Sequence, residues 1–230
     1  MKFTPAIITI LSLLVVTCNN LDNADPSPRN TFIKFYEGPY SITASSVEIV
    51  PDGFVILGNM LVEDNVNDTT YIETVVIKTD KNGNQIGDFN RSQGGTGKAI
   101  KPLFNGSTIE GYIVVGDSIY SDPLAEQAAN VSVSSLRLLL LDANFQFVDN
   151  VYFTDTSAVA PNLVREDYTG ESITIASDGR IIILGTRKAG VANQLTTPAE
   201  PFIAALTIDR DSIDWFKRYE LNGKIGRAHV

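Results

Sequence analysis

The sequence predicts an all-β protein built from three copies of one four-stranded antiparallel unit. Three observations predict it. The phrases "DGFVILG" at 52–58, "EGYIVVG" at 110–116 and "DGRIIILG" at 178–185 are near-copies of one another. After a polar stretch, each is followed by a hydrophobic run that ends on aspartate: "YIETVVIKTD" at 71–80, "SSLRLLLLD" at 134–142 and "PFIAALTID" at 201–209. Beyond the N-terminal segment no stretch carries apolar residues at helical spacing, the nearest being "DPLAEQAANV" at 122–131.

Within each unit the first strand precedes the phrase, as "SSVEIVP" at 45–51, "LFNGSTI" at 103–109 and "ESITIAS" at 171–177. Asp-Gly in front of an apolar run is a hairpin signal, because glycine accepts the positive φ of the turn. The phrase itself is then the second strand, and the run ending on Asp80, Asp142 or Asp209 is the third. A carboxylate there can accept backbone N–H groups two residues on, starting a tight turn. "KNGNQI", "ANFQFV" and "RDSIDW" carry the chain through that turn into a fourth strand. Short β-branched or aromatic runs separated by turn chemistry are strands. Four-stranded repeats of this length are the signature of β-propeller blades.

The pattern D-G-[YF]-[IV]-[IVL]-x-G, followed by an apolar strand ending in L-D-x-x-G-x-x-x-W, resembles a repeat common in exported bacterial β-propeller proteins. Unit three matches it best, in "SDGRIIILG" and "FIAALTIDRDSIDWFKRYE". Unit one has Ile86 where unit three has Trp215, and unit two has Phe145 in place of the turn glycine. The resemblance covers residues 31–223 and implies units near 39–102, 103–170 and 171–223. "TFIKFYEG" at 31–38 echoes "DWFKRYEL" at 214–221, so the chain reads as beginning with the last strand of a blade. Propellers usually close with four to eight blades. The expected fold is therefore a β-propeller fragment of about three four-stranded antiparallel blades in an open arc.

The ends of the chain read as processing signals. "MKFTPAIITILSLLVVTC" has one lysine and an apolar run too short to span a bilayer, which fits a secretory signal over residues 1–17. "VVTC" at 15–18 resembles a bacterial lipobox, making Cys18 the expected lipid attachment. With Cys18 acylated the chain has no other thiol, because it contains a single cysteine. Residues 18–30, rich in Asn, Asp, Pro and Ser, read as a flexible tether. Residues 224–230, in "GKIGRAHV", can be back-translated to resemble a sequencing adapter read in frame, and are expected to be a scar.

Composition narrows the function classes. Hydrophobic residues make up 43%, enough for a real core, and the formal net charge is −9. An acidic chain without a basic cluster repels phosphate backbones, so nucleic acid is not an expected partner. Contact with the membrane is expected through the N-terminal lipid only. The single histidine, His229, falls in the suspected scar, which leaves every Ser, Thr or Cys nucleophile without a base. No zinc set exists without histidine and cysteine. "DKNGN" at 80–84 lacks the closing bidentate acid of a calcium loop and reads as a turn. "GGTGKA" at 94–99 lacks phosphate-loop spacing and reads as an inter-blade turn. Trp215 reads as packed between neighbouring blades. No catalytic residue, cofactor or metal is expected.

The segments between second and third strands are the longest: "NMLVEDNVNDTT", "DSIYSDPLAEQAANVSV" and "TRKAGVANQLTTPAE". Loops beyond minimal length are usually kept for function. A ligand surface is therefore expected there, with Tyr120, Asp122 and Arg187 as contacts. The functional expectation is a non-catalytic, lipid-anchored binding protein of the bacterial envelope for a protein or glycan, held at the outer membrane or cell surface or on the periplasmic side. The alternatives are a glycosidase or lyase on the same scaffold, with its catalytic residues in blades expected beyond this fragment, and a structural component of a surface or secretion assembly.

Overall fold

The computed structural model describes residue 36 and residues 41–64, 69–121, 132–153, 164–191, 194–195, 198–206 and 213–219. All of them belong to the compact unit Tyr36–Val230. There is no helix among the described residues, and every pairing between their strands is antiparallel. The first sheet holds β1 (Ile42–Val50), β2 (Gly53–Asp64), β3 (Thr69–Asp80) and β4 (Asn90–Gln93), in that spatial order. The second holds β5 (Thr96–Asn105), β6 (Thr108–Ser121), β7 (Ser132–Asp142) and β8 (Phe147–Phe153). The third holds β9 (Val164–Ile175), β10 (Ile181–Val191), β12 (Glu200–Leu206) and β13 (Ile213–Arg218), with the two-residue β11 (Gln194–Leu195) on the end of β10. No sheet closes on itself. Consecutive four-stranded sheets of this kind are blades of the propeller type.

Two cores join the sheets in series. Val55, Leu57 and Val76 of the first sheet meet Ile100, Tyr112, Val114, Leu139 and Leu141 of the second. Ile113, Val115, Leu136 and Leu138 of the second meet Tyr168, Ile173, Ile183, Phe202 and Leu206 of the third. Each sheet thus has a leading face toward the sheet before it and a trailing face toward the sheet after it. Successive residues of a strand point to opposite faces, so a sheet covered on both sides needs apolar residues throughout. That is why β6 reads "YIVV" and β7 reads "LLLL" without alternation.

The repeated glycine marks one backbone irregularity made three times. Gly58 pairs with Ala44, Gly116 with Gly97 and Gly185 with Gly170. In each case the next pairing skips a residue of the first strand: Ser45, Lys98 or Glu171. This is a β-bulge, which bends the first strand and presses its backbone toward the second. A Cβ on Gly116 would overlap the Thr96 carbonyl, one on Gly185 the Thr169 carbonyl, and one on Gly58 would lie 2.8 Å from Ile42 Cγ2. Across the first interface Asn59 takes both backbone groups of Gly97, donating to its carbonyl at 3.0 Å and accepting from its N–H at 2.7 Å. The three glycines therefore occupy equivalent places in three similar sheets.

The repeated aspartate closes the next turn. Asp80 Oδ1 accepts from the Asn82 and Asn84 N–H groups, and Asp142 Oδ1 from those of Asn144 and Gln146, all at 2.8 Å. Asp80 Oδ2 also accepts from the Asn84 amide, which commits this carboxylate to the turn. Asp209 lies outside the described residues. The turn needs positive φ at its fourth residue, supplied by Gly83 at 75° and, in unit two, by Phe145 at 64°. A left-handed conformation costs a non-glycine residue about 1 kcal/mol or more. Phe145 offsets this by burying its ring, stacked 4.5 Å from Tyr112 with Lys78 Nζ 5.6 Å from its centroid.

Several expectations are corrected. In unit two "LFNGSTI" is not one strand: β5 starts earlier, at Thr96, and the hairpin turn falls at Gly106-Ser107, between Asn105 and its partner Thr108, with Gly106 at φ 63°. Glu110 and Gly111 lie inside β6, and a Cβ on Gly111 would strike the Leu141 carbonyl. The supposed loops between second and third strands are in part strand, since β2 and β3 pair out to Asp64 opposite Thr69, and β6 and β7 to Ser121 opposite Ser132. Trp215 is not packed between sheets; it stands on the trailing face of the third sheet and is 40% exposed. "GGTGKA" does link two sheets, through Gly94 and Gly95 between β4 and β5. Cys18, the segments 1–17, 18–30 and 224–230, and the strand expected at 31–38 lie outside the described residues, apart from Tyr36.

Two substitutions separate these causes. Gly116→Ala should lower unfolding free energy by about 2–3 kcal/mol, because the clash is with backbone. Gly106→Ala, with open space around its Cβ site, should cost only about 1 kcal/mol. Equal losses in urea titrations would remove the steric account. At position 145 the usual order reverses: Phe145→Gly should be more stable than Phe145→Ala by about 1 kcal/mol, because only glycine relieves the left-handed backbone.

Candidate functional site

The site forms where Gly185 leaves room for an aromatic ring. A Cβ there would sit 2.5 Å from Phe202 Cζ, so glycine in β10 admits the Phe202 ring from β12. Phe216 on β13 stacks on Phe202 at 5.0 Å and 27°. Tyr168 on β9 meets both edge-on, at 5.7 Å and 5.9 Å. Such geometries suit the ring quadrupoles and hold the cluster rigid. Above it a cavity of about 480 Å³ opens between the second and third sheets, lined by Leu136, Tyr152, Phe153, Tyr168, Ile213, Phe216 and Arg218. Tyr152 and Phe153 come from β8, across from Ile213, Phe216 and Arg218 on β13. The Arg218 guanidinium lies 5.5 Å from the Phe216 centroid and 3.8 Å from Glu166.

Beneath the aromatic wall runs a buried ion network. Arg187 on β10 donates to Glu166 through Nη2 and to Glu200 Oε2 through Nη1 at 2.9 Å. Tyr168 Oη donates to the other oxygen of Glu166. The strand register imposes this, since Arg187 stands directly opposite Tyr168 on one side and Glu200 on the other. The Arg187 hydrogen bond holds the Glu166 carboxyl below its ordinary value, outweighing burial, and Tyr168 assists. Burial raises the Tyr168 phenol, and the charge and hydrogen bond of Glu166 add to it. Arg187 is raised by Glu166. A carboxylate held ionised is a poor proton donor at neutral pH. Among the described residues no group of three His, Cys, Asp or Glu side chains is placed to hold a metal ion.

The residues expected as contacts do not converge. Tyr120 lies near the end of β6, its backbone paired with Val133. Asp122 lies outside the described residues. Arg187 lies within β10 rather than in a loop, nearly buried and engaged by two carboxylates. Tyr152, Phe153 and Phe216, which line the cavity, were not anticipated. Their signal is the aromatic pairs "YF" at 152–153 and "WF" at 215–216 in the fourth strands, where an outer strand would ordinarily be polar. No known protein-family model and no curated protein matches the chain.

The network fixes the acid limb of stability. Because the folded value for Glu166 lies below its ordinary 4.5, its contribution is present above that pH. It is lost as pH falls through the depressed folded value. Glu166→Gln should cost about 3 kcal/mol at pH 7, at the low end for a broken buried pair because Glu200 still faces Arg187. The variant should also lose part of the wild-type decline that sets in as pH falls below 4.5. Parallel declines in thermal melts would show that Glu166 does not titrate in this way.

Proposed function

We propose that this chain is a non-catalytic binding protein of the bacterial cell envelope, anchored through a lipid on Cys18. It takes a glycan or a protein segment into the aromatic cavity between the second and third sheets. The observation that carries this reading is the cavity lining: aromatic faces and aliphatic side chains, with one cation, Arg218, beside Glu166. Aromatic walls with few polar groups bind by stacking and exclusion of water, the usual composition of small-ligand sites. A scaffold of propeller type presents such a cleft on rigid strands, which lowers the ordering cost of binding. Glu166 is held by the fold, one oxygen accepting from Arg187 and the other from Tyr168.

The test is titration of neutral and acidic oligosaccharides, and of envelope extracts, by saturation-transfer NMR and calorimetry. Phe153→Ala, which removes a ring from the cavity wall, should weaken binding about tenfold, corresponding to about 1.4 kcal/mol, in a chain that still melts cooperatively. Binding that survives both this substitution and Arg218→Ala would place the site elsewhere. The anchor is tested separately: Cys18→Ser should move the protein from the membrane fraction to the soluble one. A membrane-bound Cys18→Ser chain would point to an uncleaved N-terminal segment instead.

A further inference from the structure

Three Asn-Gly steps occur in the chain, at 82–83, 105–106 and 222–223, and the last lies outside the described residues. Asparagine is a thermally labile residue. The backbone nitrogen of the residue after it can attack its side-chain carbonyl. Glycine in that place has no Cβ to obstruct the approach and leaves the backbone free to turn into it. Folding decides whether the attack happens, because the nitrogen must be reachable and the local backbone must rotate. The fold treats the two described steps in opposite ways.

At Asn82-Gly83 the attacking nitrogen is tied down. The Gly83 N–H donates to the Asp80 carbonyl at 3.0 Å, and Gly83 is buried. Its carbonyl accepts from the Tyr36 hydroxyl at 3.1 Å. The N–H groups of Asn82 and Asn84 donate to Asp80 Oδ1, and the Asp80 N–H donates to the Asn84 carbonyl. Turning Asn82 toward its neighbour therefore breaks the whole turn. Asn105-Gly106 has no such restraint. Residues 105–108 are all exposed, and Gly106 sits at φ 63° with open space where a Cβ would stand. No hydrogen bond engages its N–H among the described residues. Asn105 is the last residue of β5, paired with Thr108, and the irregularity between Leu103 and Phe104 separates that end from the rest of the ladder. Phe104 is 55% exposed, so its ring does not pin the end. Strand ends with exposed pairing and little packing open at low cost.

We infer that Asn105 is a site of spontaneous covalent modification, and that its turn protects Asn82 from the same reaction. The Gly106 nitrogen bonds to Cγ of Asn105 and closes a cyclic imide. The side-chain nitrogen leaves as ammonia, carrying the proton that the Gly106 N–H gives up. Water then adds to one of the two imide carbonyls and that carbon's bond to nitrogen breaks, giving aspartate or isoaspartate. Water is the only co-reactant. Either product puts a new negative charge at the hairpin tip. Isoaspartate also routes the main chain through Cβ, lengthening it by one carbon beside a tight turn whose pairing has no place for an extra atom. The tip then splays, while the core that begins at the buried Leu103 stays closed.

The inference is independent of the ligand cavity. It is tested on the full chain, kept folded in mildly alkaline buffer and sampled over weeks by peptide mapping that separates aspartate from isoaspartate. Isoaspartate, which only the imide route gives, should accumulate at 105. At 82 it should be at least about tenfold scarcer, the ratio that an opening cost of about 1.4 kcal/mol sets. In the urea-unfolded chain the two positions should convert at rates within about threefold of each other, because the turn that separates them is gone. Gly106→Ala should slow position 105 at least about tenfold, by obstructing the approach of nitrogen to carbonyl. Asp80→Ala, with its circular dichroism unchanged, should bring conversion at 82 toward that at 105. Equal conversion at the two positions in the folded chain would overturn the inference. So would aspartate without isoaspartate at 105, or an unchanged Asn105 after the unfolded chain has fully converted.

Discussion

In each sheet the first strand carries one residue more than the second strand can pair, and the chain absorbs it opposite a glycine. The bulge bends the first strand and lowers its backbone onto Gly58, Gly116 or Gly185, where any side chain would collide with a carbonyl or a methyl group. The same bend presents Gly97 and Gly170 outward as shallow seats for the sheet before. Sheet-to-sheet distance, and with it the burial of both apolar cores, follows from those seats. A methyl group in one seat would hold two sheets apart over their whole contact, because close-packed interiors do not relax locally.

Beyond the shared seat the two interfaces are built differently. Between the first and second sheets the polar contacts are directional. Asn59 grips the Gly97 backbone, and the buried Arg137 reaches across from β7 to Ser92 Oγ at 2.8 Å and the Gln93 carbonyl at 2.6 Å. Between the second and third sheets the contact is aromatic above and ionic below, and it leaves a cavity. The position of Arg137 is held by Val75 in the first sheet and Phe202 in the third, each paired with its sheet's repeated glycine. One backbone plan thus carries a different side chain at the place where each interface acquires its character.

The repeat was legible because the residues it needs are few and have no substitutes. Glycine at the bulge and aspartate at the turn answer to steric and hydrogen-bonding demands that recur in every unit. The β5 strand was hidden because two irregularities, at Gly97/Ala99 and Leu103/Phe104, break the alternation by which a strand is recognised. The long inter-strand segments misled for another reason. Their polar residues sit in strand pairs that run on beyond the cores, so composition suggested loop where pairing continued. The candidate site was scarcely legible. It depends on which aromatic residues of separate sheets face each other, and that follows from register and bulges rather than from any local motif.

Arg137 has a consequence for how the chain reaches its final arrangement. Near-identical neighbouring units invite exchange, in which one sheet pairs with the wrong neighbour or with its counterpart in another molecule. A guanidinium buried without matching acceptors costs several kcal/mol. Asn150 accepts from within the second sheet, but Ser92 and Gln93 supply their acceptors only when the second sheet lies behind the first. If the third sheet took that place, Phe202 would face those polar groups and Arg137 would be stranded elsewhere. A single charged side chain therefore writes an order into three sheets whose backbones are interchangeable, and misassembled intermediates are left too costly to persist.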